Sequence, residues 1–227
     1  MANRVLVEQA LKEGSIRGSQ ISECDLNGLE VSGVKWEHTD MLDLHANDIK
    51  IRNTQLQGSR FYRCSFMRAS FEGSFLDRMV FDGLTLIKSR WHGTRVADST
   101  LKNLCLQRAE LSTSRFISSS LLDFEALDIK IENCIFAHCM FGISYGSGLN
   151  GFCNGKIKNS IFYNCRFEGY PFRGANIESS VFLWCSGQIG DEMGCRNVAG
   201  IGLRGNAQHK PLENVKAARS LLERYAS

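Results

Sequence analysis

Proline is nearly missing from this chain, with two residues in 227. So little proline beside 21 glycines suits a chain that turns often without ending its strands at prolines. Long apolar runs are missing too. No stretch approaches the roughly 18 apolar residues that a membrane helix requires, so no membrane association is expected. The N-terminal apolar run Val5–Val7 breaks at Glu8, too short for a secretory leader, and a cytoplasmic location is expected. An excess of one charge is also lacking. Lysine plus arginine number 27 against 24 for aspartate plus glutamate, a net +3. That balance does not point to a polyanion, and direct nucleic-acid binding is not expected. Nine cysteines are too few for a disulfide scaffold and odd in number, so they are read as thiols in a reducing compartment. What remains is an ordinary hydrophobic content of 43% in a 25.4 kDa chain, enough for one sizeable domain or two small ones.

The positive signal is a repeat. Stepping by five from Ile16 gives Ile21, Leu26, Val31, Trp36 and so on without exception to Phe136 and Phe141, 26 apolar positions in succession. At 43% apolar content chance yields such a run with a probability on the order of 10⁻¹⁰. Two residues before each centre the side chain is often small: Cys24, Thr39, Thr54, Ser59, Cys64, Ala69, Ser74. Residues two apart share a direction only in extended chain. A helix drifts by about 140° in five residues and cannot hold this pattern on one face. Four five-residue faces make a 20-residue coil, and coils stack at about 4.8 Å. Residues 122–133 echo residues 42–53 at an offset of four such coils, with Leu44 or Phe124 large where the centre is Ala46 or Ala126. A swap that keeps the pair's volume is what a close-packed interior tolerates.

The pattern resembles the pentapeptide-repeat family. It covers 16–141 in one register and Ile157, Phe162, Phe167, Phe172, Ile177 and Phe182 in a second; Gly174-Ala175-Asn176-Ile177-Glu178 comes nearest the family's common spelling. The resemblance implies an all-β solenoid, a right-handed quadrilateral β-helix, here of about eight coils at 20 residues each.

The organisation expected is an N-terminal cap at 1–15, the first-register coil at 16–141, a glycine-rich inserted loop at 142–151, the second register at 152–186, an irregular glycine-rich segment at 187–209 and a C-terminal helix at 210–227. The stretch Val5–Leu11 is read as the N-terminal cap, with Leu6 and Leu11 keeping the five-residue register. Tyr145 and Leu149 stand in the loop, where a rigid scaffold presents residues to a partner or simply tolerates an insertion. In the last segment Pro211 sits in the first turn, and Val215, Ala218, Leu222 and Tyr225 line one face with Leu221 beside them. That face either covers the last coil or pairs with its twin in a homodimer, as the resemblance to the family's quinolone-resistance branch implies.

Charge is unevenly spread. Residues 1–49 sum to −5, 50–115 to +7, 116–155 to −3 and the remainder to +4. Arg68, Lys88 and Arg108 form a column at period 20, bracketed by Asp48 and Asp128, with Arg90 nearby. An anionic surface could use that column, or it is a solvated ladder.

Catalytic and metal motifs find little support. The histidines are scattered, and Cys134, His138 and Cys139 do not converge because the cysteines fill inward slots and His138 a corner. Gly200, Gly202 and Gly205 have a dinucleotide-loop spelling with no strand–helix unit around them. No cofactor, metal or small-molecule substrate is expected. The reading is a non-catalytic scaffold for a protein partner. The alternative, implied by the resemblance, is a mimic of duplex DNA that binds gyrase or topoisomerase IV and protects against quinolones.

Overall fold

In the computed structural model, residues 4–144 and 151–187 and the backbone of 199–201 are described. One short helix, α1 (Arg4–Lys12), precedes a parallel β-solenoid of about eight turns. Nearly every strand is three residues long, centred on a repeat position, as in Ser15–Arg17, Gln20–Ser22 and Glu30–Ser32. The first sheet has ten strands, from Ser15–Arg17 to Ala199–Ile201; the second has nine and the third eight. The remaining face, between the second sheet and the third, is held by single-residue bridges running from Asp25 through His45, Ser65, Thr85, Cys105 and Glu125 to Gly151. Four ladders per turn account for the five-residue period. Pairing is in register: Leu76 lies over Leu56 and under Val96.

All the centres from Ile16 to Phe141 are buried, as are the six of the second register. The core changes character along the axis. Its C-terminal half is built of phenylalanine, with Phe136, Phe141, Phe162, Phe167, Phe172 and Phe182 at 0–1% exposure. Phe116, Phe136, Phe162 and Phe182 stack face on at 5.0, 4.8 and 4.6 Å.

The small slots do more than save space. In a coil of parallel strands the inward amide two before a centre needs an acceptor. The hydroxyl one coil on supplies it: Thr39 N donates to Ser59 Oγ at 3.0 Å, and Thr94 N to Ser114 Oγ at 3.2 Å. Each hydroxyl in turn donates to a carbonyl, Ser114 Oγ to Ser112 O at 3.0 Å. Serine and threonine are therefore chosen over alanine to satisfy buried amides. Ser114→Ala is expected to cost about 1–2 kcal/mol, the range for stranding a buried donor, read as a lowered midpoint in denaturant; an unchanged midpoint would mean that Thr94 N has found another acceptor.

The corners explain the missing proline. Every fifth residue from Gly18 to His138, two past each centre, has φ between +48° and +71°. Proline is locked near −65° and has no N–H for the ladder, so it fits neither corner nor strand. Glycine, asparagine and aspartate adopt this left-handed region with least strain, and they occupy most corners, including Gly28, Asn53, Asp98, Asn103 and Asn133. Glycine is thus spread through the coil as well as through the loop and tail.

Elsewhere bridged residues are 20 apart, but Glu125 bridges Gly151, 26 along. Six extra residues leave the coil here, which shifts the register by one. Gly142 is still paired with Leu122 and Glu168, and Ser144 N donates to Asp123 Oδ1 at 2.7 Å.

At the N-terminus the five-residue register of Leu6 and Leu11 does not carry into the structure as strand. Both lie in α1, where Leu6 is 55% exposed and Val7 is the buried residue. A helix's 3.6-residue period overrides a spacing of five. The 210–227 helix lies outside the described residues.

Candidate interaction faces

Residues beside each centre point outward, and in register each sits one coil, about 4.8 Å, from the residue 20 away. The third sheet uses this spacing for ion pairs. Lys50 Nζ meets Glu30 at 2.6 Å, Arg52 meets Glu72 at 3.2 Å, Glu110 is shared by Arg90 at 3.6 Å and Lys130 at 2.8 Å, and Lys158 meets Glu178 at 3.4 Å. The corners do the same: Arg63 grips Asp43 through two bonds of 2.8 Å, and Arg68 grips Asp48 at 2.7 and 2.6 Å.

These contacts hold carboxylates below their ordinary range. A hydrogen bond from Lys50 does so for Glu30, from Arg63 for Asp43, from Arg68 for Asp48 and from Lys130 for Glu110. A carboxyl depressed by folding contributes stability above its unfolded value near 4, and loses it as pH falls through the folded value. The melting temperature is therefore expected to drop as pH falls below the unfolded carboxylate value near 4, and the drop should shrink in Glu110→Gln. Exposure and salt keep each pair's share small.

The basic column is assembled on the bridge-ladder side, and two of its three bases, as well as the nearby Arg90, are already paired. Arg68 is held by Asp48, Arg108 lies 3.9 Å from Asp128, and Arg90 faces Glu110 on the third sheet. Lys88 has no ion pair among the described residues. Tyr145 and Leu149, and Val215, Ala218, Leu221, Leu222 and Tyr225, lie outside the described residues.

Apolar residues at outward positions were passed over by a reading that followed centres and charge. On the second sheet Tyr62 and Val80 are each 39% exposed. The Arg63 guanidinium lies 4.5 Å from the centroid of the Tyr62 ring while forked to Asp43. The signal was available: an apolar residue next to a centre faces solvent by strand alternation.

The cysteines behave as packing groups. Cys134 and Cys139 are buried, and their thiols donate to Glu132 O at 3.4 Å and Phe116 O at 3.3 Å. His138 stands at an exposed corner, 2.9 Å from Asn164 Nδ2. Burial pushes the Cys64 thiol up to about 11 and Cys134 up to about 12, so both are unreactive in the folded state. Because six residues are inserted, Cys139 joins Cys165 and Cys185 in one inward column of the second sheet. Among the described residues no group of three or more His, Cys, Asp and Glu is placed to hold a metal. Among the same residues no helix is long and apolar enough to cross a membrane.

The described residues thus carry a buried apolar centre every five residues, with four parallel ladders per turn. This parallel β-solenoid is consistent with the pentapeptide-repeat family. Neither a family model nor a curated protein matches the sequence. Among solved structures, full-length QnrB1, a plasmid-mediated fluoroquinolone resistance protein, is 14% identical with a TM-score of 0.43, over 94% of this chain and 100% of that one. HetL, a pentapeptide repeat protein involved in heterocyst differentiation regulation from the cyanobacterium Nostoc sp. strain PCC 7120, is 12% identical with a TM-score of 0.39, over 86% of this chain and 92% of that one. The catalytic domain of a GH87 alpha-1,3-glucanase is 9% identical with a TM-score of 0.39, over 82% of this chain and 59% of that one.

Proposed function

We propose that this pentapeptide-repeat chain is a non-catalytic, right-handed four-sided solenoid that presents a rigid face to a protein partner in the cytoplasm. The observation that carries the reading is the Tyr62–Arg63–Asp43 unit on the second sheet, where Val80, one coil on and opposite Arg60, is also exposed. An aromatic ring and an arginine fixed before binding lose little entropy on association, and tyrosine and arginine are the residue types that anchor interfaces. The eight described cysteines are free thiols, which suits a reducing compartment.

A photo-crosslinking amino acid placed at Tyr62 and expressed in the native host is expected to capture a discrete protein adduct. The same group at Lys158, on the ion-pair face, is expected to capture none. Equal or absent adducts at both positions would remove the reading.

Duplex-DNA mimicry requires a negative face running along the solenoid. Of the nine acids before residue 50, four are each countered by a base one coil away: Glu30 by Lys50, Glu37 by Arg17, Asp43 by Arg63 and Asp48 by Arg68. This favours the scaffold over the mimic. A gyrase supercoiling assay with a quinolone tests the choice: neither inhibition nor protection is expected at micromolar protein, and either result would reinstate the mimic.

A further inference from the structure

Charges that face each other across the coils of this solenoid are mostly opposite. Arg17 faces Glu37, Lys50 faces Glu30, Arg52 faces Glu72 and Arg90 faces Glu110. Nine arginines among the described residues have a carboxylate within 4.0 Å. Arg95 and Arg115 break the rule. They are directly opposed in register on the outer side of the first sheet, and neither has an ion pair among the described residues. Like charges so placed repel. Lys130 and Lys156 also face each other, but there Lys130 holds Glu110 at 2.8 Å.

The acids on the neighbouring ladders do not relieve this pair. Glu72 and Asp77, one coil below His92 and Ala97, are taken by Arg52 at 3.2 Å and Arg78 at 3.0 Å. Glu132, one coil above Ser112, pairs with neither arginine. The surroundings suit an anion instead. Arg95 is exposed, and its guanidinium lies over the Phe75 ring, 5.3 Å from the centroid. That cation–π contact places the group without using its N–H donors. The adjoining corner carries Gly73 and Gly93, which have no side chain to shield Arg95, and then Thr113. A β-branched residue at φ +50° is strained, and such strain gathers at functional sites. The Thr113 hydroxyl is exposed with its residue and lies 3.4 Å from His92 Nδ1, which meets Ser112 Oγ at 2.9 Å.

Charge selects the ligand. A carboxylate cancels one of the two guanidinium charges, whereas a phosphate monoester carries about −1.5 to −2 at pH 7 and cancels both. Two guanidinium-to-oxyanion bonds of about 2.8 Å laid end to end exceed the strand spacing of about 4.8 Å. One phosphate therefore fits between arginines that have splayed apart, as Arg95 has by leaning to Phe75. A small metabolite requires a cleft that buries most of its surface, and an outward ladder position is open to solvent on one side. A nucleic-acid backbone requires a longer run of free bases than this pair. We propose that Arg95 and Arg115, with the Thr113 hydroxyl, form a docking site for a phosphorylated side chain of a partner protein. Half-buried Phe75 and Ile117 flank the pair and offer apolar contact to the residues beside the phosphate. The site is on the first sheet and Tyr62 on the second, so this proposal and the scaffold face fail independently.

The test titrates the full-length chain into a fluorescent degenerate peptide library built around one fixed phosphoserine, with the unphosphorylated library as control, and reads anisotropy. The wild type is expected to bind the phosphorylated library several-fold more tightly than the control, and several-fold more tightly than inorganic phosphate alone. Arg95→Ala and Arg115→Ala are each expected to lose most of that preference with circular dichroism unchanged. Lys35→Ala, which removes an unpaired base three coils lower on the same ladder, is expected to keep it. No preference in the wild type, a preference unchanged in both arginine variants, or one lost equally in Lys35→Ala would overturn the proposal. Inorganic phosphate binding as tightly as the library would overturn it in favour of a free-anion site. A duplex oligonucleotide binding as tightly as the library would overturn it in favour of nucleic acid.

Discussion

Phe162→Ala loses about 3–5 kcal/mol of stability, the range for truncating a fully buried aromatic. Phe162 is 0% exposed and lies between Phe136 and Phe182, near-parallel to both at 5° and 8°. It also meets Phe141, Phe167 and Phe172 edge on at 6.0, 6.1 and 5.3 Å. The cavity left by alanine cannot collapse readily, because the rings of Phe136, Phe141, Phe167 and Phe182 are each fixed to a strand held by ladder bonds on both sides. In a solenoid each coil touches mainly its neighbours, so the damage concentrates near the lesion. Hydrogen exchange should therefore accelerate in 156–187 well before 50–100, and chemical denaturation should show an early phase. A loss under about 1 kcal/mol would mean that the stack is dispensable.

Gly169→Ala is the second large effect, and its size depends on a comparison. Both Gly28 and Gly169 are corners, with φ of +68° and +70°. A Cβ at Gly28 meets nothing within 4 Å, so Gly28→Ala carries only the left-handed strain of about 1–2 kcal/mol. A Cβ at Gly169 would fall inside contact distance of the Ile143 carbonyl oxygen. Backbone cannot rotate away as a side chain does, and Ile143 N is itself bonded to Glu168 O at 3.0 Å. Gly169→Ala is expected to cost about 3 kcal/mol, strain and clash together. Equal losses for the two variants in urea titrations would refute the steric account.

Much of this architecture was legible in the chain. The centres and small slots are spelled residue by residue, because strand alternation buries every second side chain wherever it occurs. The corners were equally visible: the residue two past each centre is drawn mainly from glycine, asparagine, aspartate and flexible bases, with Thr113 the one β-branched corner between Gly18 and His138. That column was passed over because attention to size hides a preference for backbone conformation. The outward column was passed over for a similar reason. Tyr62 and Val80 are apolar, and only their parity relative to Phe61 and Phe81 says that they face solvent.

Other features could not be read from spacing. Arg68 and Arg108 formed a basic column in the sequence, but salt-bridge geometry with Asp48 and Asp128 decides how much of that charge is free. Cys139 reaches the column of Cys165 and Cys185 only because six residues leave the coil between Glu125 and Gly151.

By itself the sequence determined the period, the buried set, the parallel stacking at 20 residues and the exclusion of proline. These follow from local rules of alternation, φ and volume, which act within a few residues. Tertiary structure alone decided which charges cancel, which amide each buried hydroxyl satisfies, and that Ile161 and Leu183 are buried while Tyr62 and Val80 are exposed. Those outcomes depend on what lies across a coil or over a face. Contacts between residues distant in the chain have no period of their own to betray them.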